Sequence, residues 1–258
     1  MGLLACVPGF CARRNELFSG RIDHARAASP HAAHAVQCMT EPVQPQQHSA
    51  QRDWQSSEAA AAYRLKRDPS RFHRYQREEA ILVAWLQDLP QAGLVLDIPC
   101  GTGRWISTLA GRGLRYIGGD ISLAMIGEAR SASGAGQALG FINADSGRLP
   151  FGDGTVDCVI LWRLLHHVRE AAFRQAMLRE AARVARQKVL ISFHHPLSFT
   201  FLRKFVQKKL LGRVHRGSAI TQWQLKREAE NCGLRLAETK GFGKYTSINW
   251  FACLVPRR

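Results

Sequence analysis

The chain has 258 residues, 46% of them hydrophobic, and its 36 Lys and Arg against 20 Asp and Glu give a formal net charge of +16. That length allows one large or two small domains, and no stretch approaches the roughly 18 consecutive apolar residues of a membrane-crossing helix. Seven cysteines, an odd number without a CxxC pair, argue against a disulfide framework or a zinc site, so the composition predicts a soluble, cytoplasmic protein without a metal.

Residues 1 to 55 are rich in Ala, His, Gln and Pro, with segments such as HAAHAVQ and PVQPQQHSAQ and no sustained helical or strand period. They read as a disordered or over-extended N-terminal segment, with Met39 a natural start for the rest. The opening MGLLAC has neither the basic and apolar regions of a secretory signal nor the Ser or Thr of a myristoylation site. From Ser57, a plausible N-cap, the pattern turns helical through EAAAAYRLKRD until Pro69. A second helix, FHRYQREEAILVAWLQDL, sets Ile81, Leu82, Trp85 and Leu86 on one face. The second helix suits packing on the sheet before strand one, with Arg74 and Arg77 reading as part of its solvated face.

An alternating order of strands and helices follows. Strand one covers 94 to 98, a helix 103 to 112, strand two 115 to 119, a helix 122 to 131, and strand three 139 to 143. TVDCVILWRLLHHV supplies strand four, REAAFRQAMLREAARVA an amphipathic helix, and KVLISF strand five. A helix near 221 to 232 and strands near 234 to 241 and 246 to 255 complete the chain. The expected fold is α/β: a Rossmann-like, doubly wound, seven-stranded, mostly parallel sheet with an antiparallel C-terminal strand and helices on both faces, spanning residues 56 to 258.

The chemistry collects where these strands end. Strand one runs into VLDIPCGTG, and strand two ends at Asp120, 17 residues after Gly103. In an open α/β sheet both places lie on the carboxyl edge, where ligands bind at the switch in strand order, and an acid on the second tip can accept two ribose hydroxyl hydrogen bonds. A dinucleotide site calls for GxGxxG, yet Gly101 and Gly103 are followed by Arg104, Trp105 and Ile106. Asp97 at the start of the turn also disfavours a pyrophosphate and favours a cationic ligand such as S-adenosyl-L-methionine (SAM).

The series D-x-P-C-G-T-G, G-G-D-I-S-x-x-M and N-A-D-S-x-x-L-P-F resembles the class I SAM-dependent methyltransferases, especially their small-molecule type 11 group, over about residues 60 to 255. The resemblance implies that Asp97 and the Gly101 and Gly103 backbone hold the methionine part of SAM, Asp120 the ribose, and Asp145 with Ser146 the adenine. Pro99 and Ile121 stand in the same two turns and complete the cofactor-binding set; Pro99 and Cys100 depart from the glycines common at their positions.

A transferase of this kind needs a base only where the acceptor is protonated. His166 and His167 after strand four are the catalytic candidates, with Arg163, His194 and His195 nearby in the pattern. From Thr200 onward, thirteen Lys and Arg against three Glu give a net charge of +10, densest in FLRKFVQKKLLGRVHRG. This stretch reads as a basic substrate-cap insertion near 196 to 220, able to touch an anionic membrane surface or nucleic acid. The favoured partner is a small-molecule or lipid-like acceptor, because LWRLLHH stands where an N-P-P-Y-type tetrapeptide would mark base methylation. The alternatives are an RNA methyltransferase using the basic patch and a catalytically silent SAM-binding protein; no pattern specifies an oligomeric state.

Overall fold

A computed structural model describes residues 72–196, 218–242 and 247–257, together with Ser56, Glu58 and Ala60. The N-terminal segment before residue 56, the helix start at Ser57, Tyr63, Pro69 and residues 197–217 of the basic insertion lie outside the described residues. In chain order the elements are α1 (Phe72–Leu86), β1 (Leu94–Asp97), α2 (Ile106–Ala110), β2 (Arg115–Asp120), α3 (Leu123–Ala132) and β3 (Gly140–Asn143). They continue as β4 (Val156–Leu161), a 3-10 turn (Leu165–His167), α4 (Ala171–Val184), β5 (Ala185–His194), α5 (Gln222–Glu230), β6 (Leu234–Gly241) and β7 (Asn249–Pro256).

The seven strands lie in the order β3-β2-β1-β4-β5-β7-β6. β1 through β5 pair in parallel, whereas β7 runs antiparallel to both β5 and β6. The central strands are apolar on both faces because helices cover both. Along β1 and β4 the neighbours alternate between two cores: Leu96, Val159 and Leu161 join Leu178, Leu225 and Leu254 on the face of α4 and α5. Val95, Cys158 and Ile160 join Leu82, Trp85, Leu109 and Ala129 on the face of α1, α2 and α3. A period of two in the strands thus feeds two helical layers.

Local signals explain several boundaries. Ser122 caps α3 by accepting the Met125 N–H at 3.2 Å, and Thr221 caps α5 by accepting the Gln224 N–H at 3.1 Å. Three expectations shift. The helix after the first turn begins at Ile106 rather than residue 103, because Gly101 and Gly103 hold φ of +54° and +75° and keep the turn out of helical geometry. Strand five begins at Ala185, directly after α4 with no intervening turn. On α1 the buried face is Glu78, Leu82, Trp85 and Leu86, while Ile81 is half-buried.

Two buried polar groups hold the layers in place. Arg174 of α4 donates Nε and Nη2 to the Glu228 carboxylate of α5 at 2.9 and 2.5 Å, and its Nη1 donates to the Val168 and Arg169 carbonyls. Asp157 at the start of β4 accepts the Leu94 N–H at 2.7 Å, fixing the amino ends of β1 and β4. Cys100, Cys158, Cys232 and Cys253 are buried and form no disulfide. Among the described residues no helix is long and apolar enough to cross a membrane.

Candidate active site

The strand order reverses between β1 and β4, so a crevice opens at their carboxyl ends. Asp97 is the last residue of β1 and is 1% exposed. Its Oδ2 accepts the Tyr116 hydroxyl proton at 3.0 Å, while its Oδ1 is buried without a hydrogen-bond partner. Burial, partly offset by the Tyr116 hydrogen bond, pushes the Asp97 carboxyl up to about 8. A buried carboxylate with an idle oxygen is suited to a cationic donor.

The turn that follows is built from close backbone approaches. The Cys100 N–H donates to the Gly119 carbonyl at 2.7 Å, tying the turn to β2. A Cβ added at Gly101 would meet nothing within 4 Å, so the space above the turn is open. A Cβ at Gly103 would run into Ile106 and come within 3.2 Å of the Ala129 Cα, so this glycine serves helix packing.

Asp120, 6% exposed at the tip of β2, binds both turns at once. Its Oδ2 accepts the Gly101 N–H at 3.0 Å and its Oδ1 accepts the Ser122 N–H at 2.9 Å. Burial raises its pKa against the pull of these N–H groups. Each oxygen keeps a second lone pair, so the carboxylate retains acceptor capacity. Ile121 beside it is 41% exposed. Asn143 at the tip of β3 donates its Nδ2 to the Asp120 and Ile121 carbonyls at 3.0 and 2.9 Å.

The structure therefore brings Asp97, Pro99, Gly101, Gly103, Asp120 and Ile121 onto the adjacent tips of β1 and β2. Asp145 and Ser146 follow β3. Asp145 is exposed, and its Oδ1 closes an Asx turn by accepting the Gly147 N–H at 2.8 Å; Ser146 is buried.

His166 and His167 sit in the 3-10 turn after β4. The His166 ring lies 4.1 Å from both the His167 and the His194 ring centroids, stacking on the latter at 18°. Burial, then His194, His167 and Arg163, pull the His166 pKa down to about 2. His167 is exposed at the surface, and its pKa is lowered by desolvation and by Arg163. The chain returns to this edge where the Ser218 N–H donates to the His166 carbonyl and the Ile220 N–H to the His194 carbonyl. His195 stacks on Trp250 at 4.7 Å.

Sequence reasoning missed several partners. Glu78 of α1, 2% exposed, accepts from Arg104 at 2.5 Å and from the Trp162 Nε1–H at 3.4 Å, joining α1 to the first turn and to β4. Its place on the stripe with Leu82 and Trp85 was the available signal. Tyr116 and Asn143 act through contacts that strand pairing creates, for which local sequence carries no sign.

Residues 95–188 match the family model described as a methyltransferase domain. A demethylmenaquinone methyltransferase from Mycolicibacterium vanbaalenii is 33% identical over 134 residues, covering 51% of this chain and 53% of the relative. One from Thermobifida fusca is 29% identical over 124 residues, covering 47% and 51% respectively. The chain spans about half the length of the curated relatives it matches. The fold of this chain is shared with magnesium protoporphyrin IX methyltransferase of Synechocystis PCC 6803, solved with bound SAH. Identity there is 22%, coverage 88% of this chain and 95% of that one, and the TM-score 0.58. PH0226 of Pyrococcus horikoshii OT3 aligns with a TM-score of 0.60 at 20% identity, over 74% and 92% of the two chains.

Proposed function

We propose that this protein is a SAM-dependent methyltransferase that passes a methyl group, in line, to an O, N or C nucleophile of a small organic acceptor, with residues 56–258 as its catalytic domain. The observation that carries the reading is the buried, unpartnered Oδ1 of Asp97 beside a glycine turn with open space above it. Relatives and neighbours named for demethylmenaquinone and magnesium protoporphyrin IX support an organic acceptor over a nucleic acid. A cytoplasmic setting belongs to the same reading and accords with four buried cysteines that form no disulfide.

When bound, SAM supplies a methyl group on a sulfonium that is already an activated leaving group. The side chains are left with binding, orientation and exclusion of water. Asp97 answers the ammonium, and the Pro99–Gly103 turn leaves backbone groups open to the methionine part. Asp120 gives its spare lone pairs to the ribose hydroxyls, with Ile121 against the sugar edge and Asp145 and Ser146 toward the adenine.

Asp120→Ala removes those acceptors and the tether on Gly101 together. SAH affinity is expected to fall by about 1–3 kcal/mol per lost set of contacts, roughly 5- to 150-fold. Calorimetric titration checks it, and unchanged affinity would contradict the ribose role.

The two candidate bases separate on their surroundings. Burial and its cationic neighbours favour the neutral form of His166, and an imidazole whose conjugate acid is that acidic takes a proton poorly. His167, with its exposed edge, is the better general base for a phenol or hydroxyl. His167→Ala is expected to slow turnover about 100-fold or more on such an acceptor. A loss confined to His166→Asn would reverse the assignment.

The test of the function is incubation with methyl-labelled SAM and, in parallel, quinols, phenols, small carboxylic acids and total RNA. Label in a small organic fraction supports the proposal. Label only in RNA, or in nothing while SAH binds, would replace it with the nucleic-acid or the silent reading.

A further inference from the structure

Five large apolar side chains are exposed among the described residues, and their distribution is one-sided. Phe72 (57% exposed), Leu123 (71%) and Trp223 (66%) lie in the first turns of α1, α3 and α5, and Ile121 (41%) follows β2. All four border the carboxyl ends of the strands. α3 starts directly after β2, and α5 starts where the Ile220 N–H meets the His194 carbonyl at the end of β5. The beginning of α1 brings Tyr75 to Arg163 beyond β4. Leu139, before β3, is the one at the opposite end. The cofactor proposed above covers Ile121 and leaves Phe72, Leu123 and Trp223 facing water, an unfavourable place for large apolar groups.

The cations at the two ends meet different neighbours. At the amino ends acids answer them: Lys188 pairs with Asp88, Arg183 with Asp153, Arg186 with Asp157 and Arg257 with Glu230. At the carboxyl ends Arg77 lies over Phe242 at 4.5 Å and Arg227 over Trp223 at 4.7 Å, neither in a salt bridge among the described residues. Exposed Arg148 and Lys226 add to them, against the exposed acids Asp145 and Glu170. The sequence of residues 197–217 holds six Lys and Arg and no Asp or Glu. It leaves the described fold at Pro196 and rejoins it at Ser218, whose N–H donates to the His166 carbonyl beyond β4. Basic charge and exposed apolar side chains therefore share one end of the sheet, the end that carries the candidate site.

We propose that this end docks on an anionic lipid surface, with Phe72, Leu123 and Trp223 entering the headgroup region and the cations meeting the lipid phosphates. Apolar groups carried by three helices, on both faces of the sheet, suit a broad surface rather than a pocket-sized ligand. Leu123, the most exposed of them, has neither the charge nor the π-face with which a nucleic acid is held. The consequence for substrate class rests on the methyltransferase reading: an acceptor with an apolar body reaches the strand tips from the lipid side without crossing water.

The test is sedimentation of the full-length protein with vesicles of phosphatidylcholine alone or mixed with phosphatidylglycerol. The mixed vesicles are expected to bind about tenfold tighter or more, and added salt should weaken that binding. Trp223→Ser combined with Phe72→Ser should lower the affinity about fivefold or more, with the melting temperature and SAH affinity unchanged. Leu139→Ser, the control at the opposite end, should leave vesicle binding as it is. No vesicle binding, equal binding to both lipids, or a loss in Leu139→Ser as large as in the double variant would overturn the proposal. RNA that binds where vesicles do not would overturn it too, by giving the basic surface to a nucleic acid. SAH titration separates the two readings: vesicle binding without SAH affinity would remove the methyltransferase reading and keep the docking surface, whereas SAH affinity without vesicle binding would remove the docking surface alone.

Discussion

Asp97→Asn is expected to reduce SAH affinity by two to nearly four orders of magnitude while making the ligand-free protein more stable at pH 8. The first effect is that of breaking a buried ion pair, about 3–5 kcal/mol. The amide is nearly isosteric and still accepts the Tyr116 proton, so lost charge is isolated from lost shape. The second effect follows from linkage. In the ligand-free fold burial holds the Asp97 carboxyl up to about 8, against 3.8 as the ordinary value. Between those values the native state keeps a proton that the unfolded chain has released, so wild-type stability falls as pH rises through that window. An amide has no such dependence. Melting curves of both proteins at pH 5 and pH 8 should therefore diverge, with the variant gaining on the wild type at the higher pH. A parallel pair of curves would mean that Asp97 is already ionised and solvated.

Glu228→Ala carries the other large effect, on stability rather than binding. Arg174 and Glu228 are 2% and 5% exposed, and their paired hydrogen bonds join α4 to α5. Removing the acid leaves a guanidinium in the core with only the Val168 and Arg169 carbonyls as acceptors. The expected cost is about 3–5 kcal/mol, and at about 2–4 °C of midpoint per kcal/mol the melting temperature should fall by roughly 6–20 °C. The double replacement Arg174→Met with Glu228→Leu should recover much of the loss, because an apolar pair avoids the desolvation cost of both charges. Thermal denaturation of the three variants measures this. An unchanged midpoint in Glu228→Ala would show the pair to be solvated in solution.

The parts of the fold legible in the sequence are those in which one physical signal dominates. VDCVIL and LVLD read as strands because central parallel strands are buried on both faces and lose their polar alternation. Asp97 and Asp120 stood out because each is an acid closing an apolar run, which a core position would not tolerate without a purpose. The start of β5 was hidden: ARQ carries charge and follows a helix with no Gly or Pro between them, so nothing punctuates the change. Arg174 and Glu228 look like solvated helix positions until folding brings residues 54 apart into contact. Glu78 was obscured in the same way by Arg104, 26 residues away. The adenine end is the least legible, since Asp145 serves its own Asx turn in the structure and the sequence offers both uses.

One observation binds the site together: a buried aspartate with an idle oxygen, a turn held open by glycines, and a second acid that tethers this turn to the next strand. Calorimetric titration of the purified protein with SAH at pH 6 and at pH 8, in buffers of different ionisation enthalpy, examines it most directly. Binding should tighten toward pH 8, with a proton released into the buffer at pH 6 as Asp97 ionises against the ligand ammonium. No binding at either pH, or binding without pH dependence or proton release, would contradict it.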